Sequence, residues 1–334
     1  MNFQTNTTKP VVVLDWTGFF GIKLTEDYSM ANCPELRDTC HLVHDKSQLS
    51  QADAVVFHGR DLHWSKIPKD RKHWQRYVFL SQEAPANPGF PDLSRPYFFN
   101  WTMTYRSDSD IQIPYGPVAW FPTKLSSSVN KSAVDQSILH SKRRLIVWLV
   151  SHCHTVAKRE VIVAKLKKYV PIDVFGGCGD PDGCPRGENC SQTVNSTYKF
   201  QLAFENAICK DYITEKFWHR WKMNTVPIVL SRSTYQNLVP PHSFIAVDDF
   251  KNARALADYL LKLDKDDDQY LSYFLWRQLP PAKELPDNRI GYCGLCTKLL
   301  DRNEPGKTYA NLQQWFVNKS YCDDGSFALR WVRA

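Results

Sequence analysis

Between residues 204 and 216, a dense run of polar and charged side chains follows an apolar stretch typical of a buried strand. The run is Phe204-Glu205-Asn206-Ala207-Ile208-Cys209-Lys210-Asp211-Tyr212-Ile213-Thr214-Glu215-Lys216. A strand is predicted over Tyr198–Phe204 and a helix from Thr214, so the polar groups lie at the strand's carboxyl end, where open α/β sheets bind ligands. Lys216 in the first helical turn opposes the helix dipole unless an anion lies between them. The run therefore predicts a pyrophosphate site.

The same residues have a simpler interpretation as a solvated helix start. In that interpretation Glu205 and Glu215 only form ion pairs with Lys210 and Lys216. Exposed ion pairs of this kind contribute little to the stability of a protein. The density of polar groups in one short run favours a ligand site over this alternative.

This run resembles the signature of the α1,3-fucosyltransferases, enzymes that transfer fucose from GDP-fucose. The family's Phe-Glu-Asn, Asp-Tyr and Thr-Glu-Lys elements are all present in it. Further matching segments are Asn100–Asp110 and Pro114-Tyr115-Gly116 upstream, and Val239–Ile245 and Asp248-Asp249-Phe250 downstream. The resemblance covers residues 11–322, and the cysteine arrangement is similar to that of invertebrate enzymes that fucosylate the innermost GlcNAc of N-glycans.

The resemblance implies an inverting displacement, because fucose is β-linked in the donor and α-linked in the product. A general base must then take the acceptor hydroxyl proton, and positive charge must stabilise the departing GDP. Glu83, in Glu83-Ala84-Pro85 after the apolar run Tyr77–Leu80, matches the family's Glu-small-Pro element and is the predicted base. The alternative is a surface carboxylate at a strand end.

The resemblance assigns donor binding to a second group of residues. Arg159 aligns with the family's pyrophosphate-binding arginine and is expected to bind the pyrophosphate together with Lys216. An arginine can bind phosphate oxygens through two N–H groups, whereas a lysine acts as a point charge. Without that alignment, Arg159 would be interpreted as a solvated cation. Glu215 is expected to accept hydrogen bonds from ribose, and Asn206 and Tyr212 to contact the donor. The predicted acceptor-side residues are His58, Arg60 and Tyr105.

Asp108-Ser109-Asp110 has the Asp-x-Asp spacing that chelates a divalent cation in metal-dependent glycosyltransferases. Arg106 lies close enough in sequence to pair with these carboxylates, and the resemblance places them in the acceptor half. We therefore expect no obligatory metal and no metal ligands, while stimulation by Mn²⁺ or Mg²⁺ stays open. His152 and His154 around Cys153 are weak evidence for zinc.

Ten cysteines and several Asn-x-Ser/Thr sequons favour a lumenal or secreted protein. The sequons start at Asn6, Asn100, Asn130, Asn189, Asn195 and Asn318. The Cys293–Cys296 spacing fits a zinc half-site, a redox motif or two disulfide halves. The resemblance implies that Cys33 and Cys40 pair with Cys293 and Cys296. As a separate hypothesis, Cys153 pairs with Cys209 at one cleft, because Cys153 follows a predicted strand and Cys209 lies within the donor-binding run.

Alternating apolar runs and helical segments predict an α/β fold with parallel sheets. The predicted strands are Val11–Leu14, Ala54–Phe57, Tyr77–Leu80, Leu145–Val150, Ile172–Phe175, Tyr198–Phe204, Pro227–Leu230 and Phe244–Val247. The predicted helices are Val156–Lys168, Thr214–Met223 and Ala253–Leu263. The resemblance implies GT-B architecture, in which two Rossmann-like domains face a cleft, here stabilised by disulfides.

The expected domain bounds follow from these patterns. Residues 1–9 are expected to be residual stem, 10–140 an acceptor-side Rossmann-like domain, and 141–300 a GDP-fucose-binding Rossmann-like domain. Residues 301–334 are expected to form a tail that packs back toward the first domain. The Ser- and Lys-rich stretch 124–142 is the predicted linker.

The chain has 334 residues and a formal net charge of +7, with no basic run or recognised nucleic-acid-binding module, so no nucleic-acid partner is expected. No apolar run approaches the length of a membrane span. The resemblance implies the lumenal part of a single-pass type II Golgi protein, attached to the membrane only through a missing N-terminal anchor. The implied donor substrate is GDP-fucose, and the implied partner is an N-glycan or glycoprotein acceptor.

The residues are compatible with four functions. The first is an inverting α1,3-fucosyltransferase acting on the innermost GlcNAc of the N-glycan core. The second is a Lewis-type enzyme of the same family acting on N-acetyllactosamine antennae. The third is a metal-dependent glycosyltransferase of another donor class, and the fourth is a non-catalytic glycan-binding protein. The combination of a base candidate with a donor-binding run favours catalysis.

Overall fold

The computed structural model describes residues 9–117, 124–125, 129–184, 190–279, 291–301 and 303–334. Their contacts divide the chain into two compact units. Unit 1 consists of the described parts of 1–114 and 286–320, and unit 2 of those of 115–285 and 321–334. The predicted bounds at 140/141 and 300/301 differ from this division, because the described residues within 115–140 belong to unit 2 and the end of the chain is shared between the units.

Both units alternate strands and helices. Within the described residues the strands are β1 Val11–Asp15, β2 Cys40–Val43, β3 Ala54–His58, β4 Arg76–Ser81, β5 Trp101–Thr104, β6 Ile111–Gln112, β7 Arg144–Leu149, β8 Ile172–Phe175, β9 Tyr198–Leu202, β10 Val226–Val229 and β11 Ile245–Ala246. The α-helices are α1 Glu26–Ser29, α2 Arg159–Leu166, α3 Ser191–Thr197, α4 Glu215–Trp221, α5 Arg232–Tyr235, α6 Ala253–Lys265, α7 Asp267–Leu271, α8 Cys293–Leu300, α9 Leu312–Phe316 and α10 Ser326–Trp331.

Unit 1 is built on a parallel sheet with the strand order β2-β1-β3-β4-β5-β6. Its central strands β3 and β4 are buried almost throughout and pair with Val56 opposite Val78. Continuous apolar runs of this kind are typical of parallel strands covered on both faces. The sequence analysis identified β1, β3 and β4, and it missed β2, β5 and β6.

Unit 2 contains a second parallel sheet, with the order β11-β10-β9-β7-β8. Helices α2 and α6 contribute buried Ile162, Leu166, Leu256 and Leu260 to its core. Asn252 caps α6 by accepting a hydrogen bond from the backbone N–H of the third helical residue. The predicted strands and helices of this half are present with ends shifted by a few residues, whereas α3, α5, α7 and α10 were not predicted.

All ten cysteines form disulfides. The pairs are Cys33–Cys293, Cys40–Cys296, Cys153–Cys178, Cys184–Cys190 and Cys209–Cys322. The first two join the early cysteines of unit 1 to the Cys-x-x-Cys motif, which lies on α8. The hypothesis that Cys153 pairs with Cys209 is wrong. β8 lies beside β7, so the loops that follow these two strands meet and pair Cys153 with Cys178.

The prediction of two Rossmann-like α/β domains stabilised by disulfides is therefore confirmed. In the part of the chain that the structure describes, no helix combines the length and the apolar character needed to cross a membrane.

Candidate active site

The polar run after β9 forms a tight turn that leads into α4. Tyr212 N donates to Cys209 O at 3.2 Å, and Asp211 between them adopts a left-handed backbone conformation with a φ of 62°. Thr214 then caps α4, since its Oγ1 accepts a hydrogen bond from Lys216 N at 3.4 Å. Because β9 is the middle strand of the sheet, this turn lies at the carboxyl edge of unit 2, where the sequence predicted a ligand site.

Glu205, Thr214 and Lys216 form a compact polar network at this turn. Glu205 is only 3% exposed, and its carboxylate accepts hydrogen bonds from Thr214 N and Thr214 Oγ1, both at 2.7 Å. Lys216 Nζ lies 2.9 Å from Thr214 Oγ1, 3.1 Å from Glu215 Oε1 and 3.4 Å from Glu205 Oε2. The ion pairs of the simpler interpretation are thus present for Lys216, but one partner is a buried carboxylate rather than a solvated one.

The charges in this network shift one another's pKa values. Burial alone would lower the pKa of Lys216, but the carboxylates of Glu205 and Glu215 outweigh it and raise that pKa. Burial raises the pKa of Glu205, against the attraction of Lys216. For Glu215, burial acts to raise the pKa, and the charge of Lys216 reverses this and lowers it. Lys216 is therefore held as a cation at neutral pH.

Arg159 lies at the start of α2, directly after Lys158, whose φ is 52°. Its guanidinium is only 3% exposed and donates to Phe204 O at 2.5 Å and to His152 O at 2.9 Å. Burial lowers its pKa, and the charge of Glu205 opposes that change. Arg159 thus bridges the chain ends of β7 and β9, and its buried Nε has no hydrogen-bond partner in the described part of the chain.

Two further side chains complete the cluster. Asn206 has its backbone carbonyl bonded to Ala157 N at 3.1 Å, while its buried side-chain Oδ1 lacks a hydrogen-bond partner among the described residues. Arg220, which the sequence analysis missed, interacts electrostatically with Glu215 and Glu205, and burial lowers its pKa. Its position four residues after Lys216, one helical turn on, was the available signal.

In unit 1, Glu83 lies just beyond the carboxyl end of β4. Ser81 fixes the local backbone, because its Oγ donates to Glu83 O at 3.0 Å and accepts from Glu83 N at 3.2 Å. Asn87 Nδ2 donates to Glu83 Oε2 at 2.7 Å. The half-buried carboxylate therefore has one oxygen engaged by an amide.

The predicted acceptor-side residues also follow strand ends in unit 1. His58 ends β3, is fully buried, and places Nδ1 2.6 Å from Asp61 Oδ2. Burial lowers the pKa of His58, and the charges of Asp61 and Glu83 oppose this change. Arg60 lies 5.6 Å from the ring centroid of exposed Phe20. Because β3 and β4 are adjacent, His58, Arg60 and Glu83 share one sheet edge.

Tyr105 is buried and directly follows β5, the other neighbour of β4. Its position is therefore at the same carboxyl edge of the unit 1 sheet as Glu83. The four residues predicted for the base and the acceptor side thus lie at or just after the carboxyl ends of three adjacent strands of one sheet.

The Asp-x-Asp pair is committed to protein contacts. Fully buried Arg106 donates from Nε and Nη2 to the two Asp108 oxygens, at 2.8 and 2.7 Å. Asp110 accepts from Lys307 Nζ at 2.6 Å and from Tyr309 OH at 2.8 Å. Across the described ranges, no three or more His, Cys, Asp or Glu side chains are grouped so that they could hold a metal ion.

The sequons differ in their surroundings. Asn6 and Asn189 lie outside the described residues. Asn130 and Asn318 are exposed, and Asn195 is half-buried. Asn100 is 4% exposed, its Oδ1 accepts from Tyr77 N at 2.8 Å, and its Nδ2 donates to Lys307 O at 2.8 Å. The nitrogen that would carry a glycan at Asn100 is therefore engaged inside unit 1.

Comparison with known proteins agrees with these observations. Residues 139–315 match the family model for the C-terminal part of glycosyltransferase family 10, the fucosyltransferases. Residues 8–116 match the fucosyltransferase N-terminal model. The fold is similar to the crystal structure of an α1,3-fucosyltransferase with GDP-fucose, with a TM-score of 0.55 and 18% identity over 90% of this chain and 91% of that one.

Curated relatives match over most of the chain. The α1,3-fucosyltransferase fut-5 of Caenorhabditis elegans is 37% identical, with 96% of this chain and 86% of that protein aligned. The 4-galactosyl-N-acetylglucosaminide 3-α-L-fucosyltransferase 9 of Mus musculus is 33% identical, with 94% of this chain and 84% of that protein aligned. The resemblance seen in the sequence is thus confirmed, and the chain belongs to the α1,3-fucosyltransferases of glycosyltransferase family 10.

Proposed function

We propose that the protein transfers L-fucose from GDP-β-L-fucose, with inversion, in α1,3 linkage to the innermost GlcNAc of glycoprotein N-glycans. The observation that carries the proposal is the polar cluster at the carboxyl edge of the unit 2 sheet. There Lys216, held as a cation, and the buried guanidinium of Arg159 provide positive charge. Both lie beside side chains that can bind a ribose or a phosphate.

The donor is proposed to bind with its pyrophosphate at Lys216 and Arg159. Arg159 Nε and Asn206 Oδ1 are buried polar atoms without a hydrogen-bond partner in the described ranges, and a ligand could satisfy them, since leaving such atoms unpaired costs free energy. Tyr212 is buried at the turn between them and α4, and it is proposed to contact the same ligand. An arginine can bind two phosphate oxygens at once.

Glu215 is proposed to change partner when the donor binds. In the structure its carboxylate, with a side chain 42% exposed, bonds to Lys216 Nζ. All three N–H groups of Lys216 have acceptors within 3.4 Å, so Lys216 must release one acceptor to bind a phosphate oxygen. Glu215 is the most exposed of these acceptors, and released from Lys216 it can accept from the ribose hydroxyls.

Glu83 is proposed as the general base. As the acceptor O3 bonds to the anomeric carbon of fucose, the bond from that carbon to the phosphate oxygen breaks, and the hydroxyl proton passes to Glu83. The developing negative charge on GDP is stabilised by Arg159 and Lys216, so the proposed mechanism needs no obligatory metal. The pairing of Asp108 with Arg106 supports this proposal, because that carboxylate already has a cationic partner.

The innermost GlcNAc is proposed as acceptor from the cysteine arrangement, which is similar to that of invertebrate core-modifying enzymes. His58, Arg60 and Tyr105 are proposed to contact this acceptor, since they share a sheet edge with Glu83. A second candidate is an N-acetyllactosamine antenna. The name of the murine relative favours it, because that enzyme acts on a 4-galactosyl-N-acetylglucosaminide.

We propose the Golgi lumen as the compartment of this reaction. All ten cysteines are in disulfides, which persist in oxidising compartments of the secretory route. The exposed Asn130 and Asn318 are proposed as glycosylation sites.

The test is GDP release from GDP-fucose with two acceptors, an N-glycopeptide bearing the core GlcNAc and an N-acetyllactosamine, each with and without EDTA. We expect turnover on the glycopeptide that survives EDTA. Transfer to lactosamine alone would replace the proposed acceptor by the second candidate. Absence of both GDP release and GDP-fucose binding would refute the proposed function.

The base is tested by Glu83→Gln, with Glu35→Gln as an exposed control in the same unit. General-base catalysis contributes about 10²–10⁴-fold, so turnover should fall by that factor in Glu83→Gln and remain unchanged in the control. GDP binding should be retained in both variants. A Glu83→Gln enzyme with normal turnover would exclude Glu83 as the base.

A further inference from the structure

The last residues of the chain contact the candidate donor site from two sides. We call Tyr321–Ala334 the C-terminal brace; it belongs to unit 2 and contains α10. The Cys209–Cys322 disulfide joins it to the polar run across 113 residues of sequence. Asp323 N also donates to Ile208 O at 2.8 Å. The brace is therefore fixed to the turn that precedes α4 by one covalent bond and one hydrogen bond.

The other end of the contact lies at the start of α2. Gly325 has a φ of 92°, and a Cβ built on it would lie 2.7 Å from Val156 O and 2.6 Å from Lys158 Cγ. Only a residue without a side chain fits at this position of the brace, where it meets the loop before α2. Val156 and Lys158 belong to the segment that leads into Arg159, so the brace packs against the loop that positions the Arg159 guanidinium.

The brace is itself well anchored. Asp323 Oδ1 and Oδ2 accept hydrogen bonds from the backbone of Phe327 and Gly325, which fixes the start of α10. Trp331 is buried, and its Nε1 donates to Phe250 O at 2.8 Å. Ala328 is fully buried in the same core as α2 and α6. A brace anchored in the core can hold the two loops that it touches at fixed positions.

These two loops carry the side chains assigned to the donor. The Cys209 carbonyl accepts from Tyr212 N, and Asn206 O accepts from Ala157 N, so the polar run and the loop before α2 are also bonded to each other. We propose that the C-terminal brace, through Cys209–Cys322 and Gly325, positions Asn206, Tyr212 and Arg159 for binding of the nucleotide sugar. This inference rests on the proposed function.

The main test compares Cys209→Ser/Cys322→Ser with Cys184→Ser/Cys190→Ser, a control that removes another disulfide of unit 2. GDP affinity is measured by calorimetry, and KM for GDP-fucose and kcat by initial rates. Without the Cys209–Cys322 disulfide, the polar run must become ordered when the nucleotide binds, and this entropy cost weakens binding. We therefore expect the GDP Kd and the donor KM to rise about tenfold, with kcat at saturating donor little changed. The control should match the unmodified protein.

Gly325→Ala is the second variant, because it displaces the brace from Val156 and Lys158 without touching a cysteine. It should raise the donor KM in the same way. If Cys209→Ser/Cys322→Ser does not fold, Gly325→Ala tests the positioning role of the brace in its place. Folded variants with unchanged GDP Kd and donor KM would refute the positioning role proposed for the brace. Failure of the unmodified protein to bind GDP would instead overturn the proposed function.

Discussion

Replacing Lys216 with methionine removes the central cation of the donor cluster while keeping a side chain of similar length. A hydrogen bond to a charged group contributes about 1.5–3 kcal/mol, so loss of the proposed phosphate contact should weaken GDP binding by about 10- to 150-fold. Lys222→Met is the matched control, since Lys222 is an exposed lysine at the other end of α4. Its GDP affinity should not change.

The same change should also destabilise unit 2 in a pH-dependent way. Lys216 Nζ lies 3.4 Å from Glu205 Oε2, and its loss leaves the buried carboxylate with the two Thr214 donors and the charges of Arg159 and Arg220. We expect a loss of about 2 kcal/mol at neutral pH, below the cost of an uncompensated buried charge, because the Thr214 donors and the two arginine charges remain. For a unit of this size, that loss lowers Tm by about 4–8 °C.

The sign of the pH effect follows from Glu205. Burial already raises the pKa of its carboxyl, and removing Lys216 raises it further. A carboxyl with a raised pKa in the folded state destabilises the fold above its unfolded pKa, and this penalty disappears as the pH falls to that value. The Tm difference between the unmodified protein and Lys216→Met should therefore narrow as the pH falls from neutral toward about 4.3.

Calorimetric titration with GDP and thermal unfolding across this pH range measure both effects. An unchanged GDP affinity in Lys216→Met, or an equal loss in Lys222→Met, would refute the role assigned to Lys216. A Tm difference that stays constant with pH would refute the electrostatic explanation of the stability loss.

Asp108→Ala should lower the free energy of unfolding of unit 1 by about 1.5–3 kcal/mol, because it leaves the buried Arg106 guanidinium without its carboxylate. Chemical denaturation measures this loss. A stable variant with a changed metal dependence would restore the metal-site interpretation. Burial, with the charges of Arg277 and Lys199, lowers the pKa of Lys142 to about 8. The free energy of unfolding, relative to Lys142→Met, should then rise between about pH 8 and 10.4, as the buried cation loses its proton in the folded state first; a flat difference would contradict this. Gly59→Ala should cost about 1–3 kcal/mol of unit 1 stability, since a Cβ would lie 2.8 Å from the Phe79 and Phe90 rings, and an unchanged Tm would show that these rings move aside.

The strands that the sequence predicted are the ones whose own residues specify them. β3, β4 and β7 are apolar runs of sufficient length, and burial on both faces makes such runs conspicuous. β2 and β6 are short and contain His41 and Gln112, and their strand conformation depends on pairing with β1 and β5. Pairing between distant segments leaves little trace in local sequence.

The candidate site shows the same limit. The types and spacing of Glu205, Thr214 and Lys216 were sufficient to predict a polar cluster at a strand end. The partner of Cys209 was not predictable, because the position of Cys322 depends on where residues 321–334 run after the chain has left unit 1. Spacing between cysteines does not specify their pairing.

The two disulfides of unit 1 have a consequence for how the protein is made. Cys33 and Cys40 are synthesised 260 and 256 residues before their partners on α8. At a translation rate of about 5–20 residues per second, their partners are synthesised roughly 13–52 s later, after five cysteines of unit 2 have been added to the nascent chain. During that interval Cys33 and Cys40 are exposed to wrong partners that appear first. Efficient production therefore depends on a thiol isomerase that keeps early pairings reversible until residue 296 has left the ribosome.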